Sequence, residues 1–587
     1  MNRIFVSAVT ALALAGCTPS YSDGIVTFRP GRPQETGPVE PVTVGIIAIN
    51  DFHGQIEPPK RAVTLPVPGG EPAVIPAGGA AWLASAVDGA RAKYQYSLTV
   101  AAGDLTSASQ FSSALFLDEP AVNIMNRIGL DFTSVGNHEF DRGRKELERL
   151  QNGGCEKFTA REPCAVEPAF EGAQYRYLAA NVQLADGTTL FPASALRHFG
   201  SGRSRVAIGL IGLTLKDTPH AVTASGVEGL TFTDEANAIN TAAATLKAAG
   251  ADAVVVLIHQ GLDIGGESDP NGCEEAAGGL LPIVAQLDTT VDLIVSGHTH
   301  QAYICNFPSA DGAKSFLVTS AASYGMMLTD IRLTIDPVAS KVTAMQARNA
   351  PVQSVGYGTI VQSNAAPVIE PRADIADYVA TYVTAAAEFS TRPAGRLTPA
   401  PDQATLPRAP FGQLIADAQL AATREAGAQI ALMNPGGVRG SLIPKPDGSL
   451  TFGDLFQVQP FGNTLVTMTL SGSELLALLE SQMDDEGLLT ILLPSANFGY
   501  NYDKARPSGA RVMEAMLDGA PIDPAKDYRV TVNSFLADGG DGFTLLRQGR
   551  DRVVGMVDLD ALEAYLQADP PRTMPLEYRA RDVTPGE

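Results

Sequence analysis

From Val42 onward, short apolar runs rich in β-branched residues alternate with longer segments of helical spacing. The runs at 44–49, 98–102, 132–135, 206–211, 254–258 and 293–295 predict strands. Segments 79–93, 119–128 and 235–248 predict helices between them, with Asp118 placed to cap the second. Runs at 316–319 and 327–335 look like closing strands. Ile375, Val379, Tyr382, Val383 and Ala386 then recur at helical spacing and predict a connector helix. Beyond it, a helix at 411–425 and strands at 429–433, 465–470 and 528–532 begin a second α/β region. Strands alternating with helices argue for layered α/β architecture, in which ligands bind at the carboxyl ends of the strands.

Composition narrows the picture. A chain of 587 residues, 45% apolar and 18% charged, is a folded protein of two or more domains. Its formal charge of −22 argues against a nucleic acid polymer as partner. A small anionic substrate is still allowed, given local positive charge. Met1-Asn2-Arg3 followed by an apolar run and Leu14-Ala15-Gly16-Cys17 resembles a bacterial lipoprotein signal over 1–17, with Cys17 as the lipidated residue. An ordinary secretory signal is the alternative. The lipoprotein reading predicts an exported protein, lipid-anchored on the periplasmic face or at the outer membrane; Thr18 after Cys17 favours the latter. Residues 18–41 are rich in Pro, Gly, Ser and Thr and read as a flexible tether. Cys155, Cys164, Cys273 and Cys305 remain, and export favours disulfides. Three pairings are open; Cys155–Cys164 with Cys273–Cys305 closes the shortest loops.

The chemistry sits just after the apolar runs. Five of seven histidines fall in short polar motifs: Asn50-Asp51-Phe52-His53-Gly54, Gly136-Asn137-His138-Glu139-Phe140-Asp141, Ile258-His259-Gln260 and Gly297-His298-Thr299-His300. Gly103-Asp104 has the same strand-then-ligand form. Asp51, His53, Asp104, Asn137, His259, His298 and His300 mix oxygen and imidazole ligands, which suits Zn, Mn, Co or Fe better than Ca or Mg alone. Seven ligands are too many for one tetrahedral ion and fit two divalent ions sharing Asp104. Two ions about 3.5–4 Å apart can activate water and clamp a phosphoryl oxygen. His198 and His220 lie outside these motifs and read as ordinary surface positions.

These motifs, in this order, resemble the calcineurin-like metallophosphoesterases. The resemblance implies one metal on Asp51, His53, Asp104 and His300, and a second on Asp104, Asn137, His259 and His298. It makes His138 and Asp141 the catalytic dyad; Glu139 and Phe140 read as structural. Downstream, Asn434-Pro435-Gly436-Gly437-Val438-Arg439, Gln459-Pro460-Phe461-Gly462-Asn463 and the run from Asn533 to Phe543 are similar to the C-terminal domain of the 5′-nucleotidase/UDP-sugar hydrolase family. By that resemblance Phe461 and Phe535 sandwich a base, Asp541 accepts from ribose hydroxyls, and Arg439 pairs with phosphate. Asn434 and Asn463 are expected in the same cleft, and Arg408 is a further phosphate-binding arginine.

The implied fold is a four-layer metallophosphoesterase β-sandwich flanked by helices over 42–350. A linker and connector helix over 351–392 joins it to an α/β substrate-binding domain over 393–578. The implied function is a monomeric extracytoplasmic nucleotidase acting on nucleoside 5′-monophosphates, with di- and triphosphates as further candidate substrates. His300, where some sugar-nucleotide hydrolases have Gln, and the absence of arginine between Arg439 and Phe461 favour monophosphates. UDP-sugar hydrolysis, 2′,3′-cyclic-nucleotide phosphodiester hydrolysis and a non-catalytic nucleotide-binding lipoprotein are the alternatives.

Overall fold

The computed structural model describes residues 18–22, 25–29 and 39–585, apart from 68, 160, 223, 266–268, 401, 402, 404, 405 and 484–489. Residues 1–17, the stretch read as a lipoprotein signal with Cys17, lie outside the described residues. Within the stretch read as a tether, Thr18–Ser22 pairs antiparallel with Ile25–Arg29. Composition alone does not suggest this hairpin, but Tyr21, Ile25, Val26 and Phe28 are strand formers.

Residues from Pro41 onward form one compact body. Its N-terminal half holds two six-stranded sheets. The first runs Lys341–Pro351, Met327–Asp336, Val42–Ile49, Tyr96–Ala101, Phe132–Ser134, Arg176–Leu178. The second runs Ser194–Phe199, Val206–Thr214, Ala253–His259, Leu293–Ser296, Ser315–Ala321, Ala302–Pro308. The central strands run parallel to one another, Val42–Ile49 with Tyr96–Ala101 and Val206–Thr214 with Ala253–His259, while the outer pairings are mixed. Buried on both faces, they are apolar almost throughout.

Strand alternation builds the layers. Val44, Ile46 and Ala48 point into the core between the sheets, against Ile208, Leu210, Val255 and Leu257. Ile47 and Ile49 point the other way, into a helix layer with Leu83, Val87 and Ile124. Across the second sheet, Val254, Val256 and Ile258 meet Ile239, Ala243 and Leu246 of helix Glu235–Ala248. The result is helix, sheet, sheet, helix. Each fully buried aliphatic side chain contributes about 1.5–3 kcal/mol to this arrangement.

Helices Ala80–Arg91, Glu119–Ile128 and Glu235–Ala248 match their expected positions. Asp234 caps the third, accepting from the Asn237 backbone N–H at 3.0 Å. Asp118 does not cap the second. It adopts a left-handed conformation, φ 62°. Its carboxylate instead accepts from Ser107 N, Ser113 Oγ and Arg142 Nη1. A fully buried carboxylate needs a cationic partner more than a helix end needs its cap. Both nearest-neighbour disulfides form, Cys155–Cys164 and Cys273–Cys305.

The connector helix Ala373–Ser390 buries Ile375, Val379, Tyr382 and Ala386. Tyr378 and Tyr382 both donate to Glu167 Oε2, which also accepts from Asn123. In the C-terminal half, Leu493–Pro494, Ile430–Met433, Asp527–Asn533, Thr464–Ser471 and Arg550–Val557 form a five-stranded sheet covered by helix Arg408–Thr423. Phe111 of the N-terminal half makes edge contacts with Phe452 and Phe456 of helix Phe452–Val458. The two halves thereby meet over a cleft.

Candidate metal centre and nucleotide pocket

All seven expected ligands come together at the carboxyl ends of the sandwich strands. Asp51 and His53 follow Val42–Ile49, Asp104 follows Tyr96–Ala101, and Asn137 follows Phe132–Ser134. His259 ends Ala253–His259, and His298 and His300 follow Leu293–Ser296. Five of the seven have positive φ: Asp51 50°, His53 49°, Asp104 50°, His298 74° and His300 59°. Such conformations cost non-glycine residues on the order of 1 kcal/mol each or more, and cluster where a site must be held in place.

Glycines let the turns close. Gly103 has φ 80°, and a Cβ there would lie 2.7 Å from Gly136 N. A Cβ on Gly136 would lie 2.1 Å from Asp104 Oδ1. Glu139 supports this junction: its carboxylate accepts from the backbone N–H groups of Gly136, Asp104, Leu105 and Thr106. The structural role read for Glu139 is therefore specific, because it shapes the Asp104 turn.

Two donor sets share Asp104. In the first, His53 Nε2 lies 3.1 Å from His300 Nε2 and 3.6 Å from Asp104 Oδ2. His300 Nε2 lies 3.4 Å from Asp51 Oδ1. In the second, His259 Nε2 lies 3.0 Å from both Asp104 Oδ2 and Asn137 Oδ1. Asn137 Oδ1 lies 3.1 Å from His298 Nδ1. Ligand atoms of Asp51, His53 and His300 fall within 4.8 Å of one another, as do those of Asp51, Asp104 and His259. The imidazoles are set for metal. His53 Nδ1 and His259 Nδ1 face the carbonyls of Ser107 and Ala102 at 2.9 and 2.8 Å. Those bonds place the proton on Nδ1 and turn a bare Nε2 inward. Two ring nitrogens 3.1 Å apart, beside buried carboxylates, call for a cation between them. Burial holds the His53 and His300 pKa values well below the ordinary imidazole value. The donors fit a pair of divalent ions.

His138 stands at the edge of this centre, its Nδ1 2.9 Å from Asp141 Oδ2. Burial disfavours the imidazolium, yet the charges of Asp141 and Asp104 outweigh it and raise the His138 pKa. Asp141 also fixes the ring so that Nε2 is the free nitrogen.

The C-terminal half supplies the opposite wall. Asn434 Nδ2 donates to Asp541 Oδ2 at 2.7 Å, and Asn533 Nδ2 donates to Asn434 Oδ1 at 3.0 Å. Ser534 Oγ donates to Asn463 Oδ1. Arg439 Nη2 reaches to 3.3 Å from His53 Nε2, and Phe461 stacks on His138. Phe535 packs against Gly540, where a Cβ would lie 2.4 Å from its ring. Asn137, His138, Asp141 and His298 line a single cavity of about 250 Å³ with Asn434, Arg439, Phe461, Asn463, Phe535 and Asp541.

The family comparison agrees with this geometry. Residues 45–302 match the calcineurin-like phosphoesterase family, and residues 387–548 match the 5′-nucleotidase C-terminal domain. The chain belongs to the 5′-nucleotidase family of calcineurin-like phosphoesterases. It is 27% identical to a structure described as a 5′-nucleotidase precursor from Thermus thermophilus, covering 92% of this chain and 99% of that one, with a TM-score of 0.72. It is 24% identical to a probable 5′-nucleotidase of Treponema pallidum, over 93% of this chain and 92% of that protein. It is 28% identical to the endonuclease YhcR of Bacillus subtilis, over 97% of this chain but only 42% of that longer protein.

In this family member the expected metal ligands, dyad and substrate residues therefore gather in one place; Arg408 does not line the cavity, and its charge acts on Tyr324 and Arg439. His198 and His220 are exposed and are neither among the grouped metal-ligand atoms nor in the cavity lining. Several contributors have no role assigned to them by the sequence. Ser107 orients His53 through its carbonyl, and Asn50 Nδ2 donates to Asp51 Oδ2 at 2.6 Å. Asn533 lies inside a family motif, but the resemblance assigns it no role. Arg61 and Tyr324 lie in no motif.

Proposed function

We propose that the chain hydrolyses nucleoside 5′-monophosphates to nucleoside and orthophosphate. The observation that carries this reading is the shared cavity, whose one wall suits a base and ribose and whose other holds the dyad and metal ligands. The Treponema and Thermus relatives, described as a probable 5′-nucleotidase and a 5′-nucleotidase precursor, point the same way.

Phe461 and Phe535 hold the base through their ring faces, a contact tolerant of base identity. Asp541, oriented by Asn434, accepts from the ribose hydroxyls. Arg439 offers its guanidinium fork to the phosphoryl oxygens. Asp51, His53, Asp104 and His300 would hold one divalent ion, and Asp104, Asn137, His259 and His298 would hold another; Zn, Mn and Co suit the donors. Such ions supply the Lewis acidity that activates water and neutralises phosphoryl charge. His138, protonated and oriented by Asp141, donates from Nε2 to a phosphoryl oxygen or the leaving 5′-oxygen.

In the same reading the protein is an exported monomer anchored through Cys17, so its nucleotides are extracytoplasmic. Lipid labelling that is lost in Cys17→Ala tests the anchor. The substrate is tested with a panel of AMP, 2′,3′-cyclic AMP and UDP-glucose under added Mn²⁺ or Zn²⁺. Orthophosphate release from AMP well ahead of turnover of the other two supports the reading. Preferred cleavage of either other substrate contradicts it.

A further inference from the structure

Three guanidinium groups gather on the side of the centre formed by Asp51, His53 and His300. Arg61 Nη2 donates to the Arg439 carbonyl at 2.6 Å, and its guanidinium lies 4.7 Å from the centre of the Tyr324 ring. That ring lies 5.7 Å from His53 and 5.4 Å from His300. The Tyr324 backbone N–H donates to the Asp51 carbonyl at 2.7 Å, which ties the residue to the centre. Arg408, at the start of helix Arg408–Thr423, adds a third positive charge that acts on Tyr324 and repels Arg61 and Arg439.

This cluster is unbalanced. Among the described residues, none of the three arginines forms an ion pair with a carboxylate. Two of the cluster's polar atoms are buried without a hydrogen-bond partner, the Tyr324 hydroxyl and Arg439 Nε. Tyr324 is 2% exposed and has φ 60°, so its placement is imposed by the fold. Like charges gathered with unsatisfied donors beside a metal centre fit an anion with several acceptor oxygens.

We propose that Arg61 and Tyr324 join Arg408 and Arg439 in a subsite for a terminal phosphoryl group, selecting phosphomonoesters over diesters and retaining free orthophosphate. A monoester has three non-ester oxygens and, with a second pKa of about 6, nearly two negative charges at neutral pH. A diester has two such oxygens and one charge. An excess of three guanidinium charges therefore favours the monoester. Arg61 comes from the segment between the first ligand turn and helix Ala80–Arg91, whereas Arg408 and Arg439 come from the C-terminal half. The subsite is complete only when the halves meet. For its substrates this proposal rests on the nucleotidase reading; its orthophosphate site does not.

The test combines calorimetry of orthophosphate binding with steady-state hydrolysis of AMP and of bis(p-nitrophenyl) phosphate. It uses the manganese-loaded full chain and its Arg61→Ala, Arg61→Lys and Tyr324→Phe variants, with metal content and melting temperature as controls. In Arg61→Ala, orthophosphate affinity should fall by about ten-fold or more, the scale of one lost charge-assisted contact. The ratio of kcat/KM for AMP to that for the diester should fall with it. Arg61→Lys should lie between wild type and Arg61→Ala, and would carry the test if Arg61→Ala failed to fold. Tyr324→Phe should weaken orthophosphate binding while keeping the ring. Unchanged orthophosphate affinity and unchanged ratio in folded, metal-loaded Arg61 variants would overturn the proposal. Arg61-dependent orthophosphate binding without AMP turnover would leave the subsite standing and remove the nucleotidase reading.

Discussion

The ring of Phe461 stacks on the imidazole of His138, with centroids 5.6 Å apart and planes 18° apart. The two residues lie 323 positions apart, one in each half of the chain. A group expected to hold the base is therefore in contact with the group expected to move the proton. Binding and chemistry are coupled through that contact. Replacing Phe461 by Ala removes a stacking surface worth roughly 1–3 kcal/mol, so KM for AMP should rise by about ten-fold or more. Phe461→Tyr should stay near wild type. Initial-rate measurements across AMP concentrations decide it, and an unchanged KM in Phe461→Ala would remove Phe461 from the binding site.

Asp141 acts only through His138 in this account. Asp141→Asn keeps the shape but weakens the orientation and charge support of the ring. We expect kcat to fall by about 10²-fold or more, the scale of general acid–base contributions, with KM and metal content little changed. Loss of bound metal in Asp141→Asn would instead make the residue part of the metal site's scaffold.

Gly136 is the tightest point of the centre. An added Cβ would lie 2.1 Å from Asp104 Oδ1 and 2.5 Å from Asp104 N. Neither neighbour can yield without moving the shared ligand. Gly136→Ala should lower metal stoichiometry and phosphate release together, while the melting temperature falls only modestly. Metal analysis of the purified variant checks this; full metal loading would show that the junction is looser than its geometry implies.

Asp558, whose backbone N–H donates to the carbonyl of the pocket residue Asn463, offers a stability test. It is buried, and burial pushes its carboxyl from an ordinary value of 3.8 up to about 7. The unfolded chain releases this proton near the ordinary value, whereas the folded chain holds it until near pH 7. Between those values the folded state carries the extra proton, so this group's contribution to stability is full below about pH 4 and is lost as pH rises to about 7. Asp558→Asn, which mimics the neutral form, should therefore be stabilised relative to wild type by up to about 4 kcal/mol more at about pH 8 than at about pH 4. Melting curves at both pH values measure it, and an equal difference at both would show that Asp558 does not titrate this way.

The ligand turns are legible because each is short and local. A strand ends, and the ligand follows within a few positions, as with Asp51 after Ile49 and His298 after Ser296. Asp118 misleads for the same reason. The rule for helix caps is local, but Arg142, brought in by tertiary structure, claims its carboxylate. Lys341–Pro351 escapes sequence reading because it is an edge strand with a largely exposed, weakly alternating pattern. Arg61 and Tyr324 are illegible because their meaning depends on arginines about 350 and 100 positions away. One faint signal exists: Ser323-Tyr324-Gly325 follows a strand end, as the ligand motifs do, and both Tyr324 and Gly325 have positive φ.

The central claim is that the two halves form one metal-dependent site for nucleotide phosphate. The most direct measurement counts bound divalent ions and orthophosphate released from AMP in the same preparation, for wild type and Asp104→Ala. The account predicts about two ions per chain in wild type with equimolar adenosine and orthophosphate. In Asp104→Ala it predicts loss of bound metal and a fall in release of about 10²-fold or more. Release from AMP that persists in Asp104→Ala, or a wild type that takes up two ions and leaves AMP intact, would contradict it.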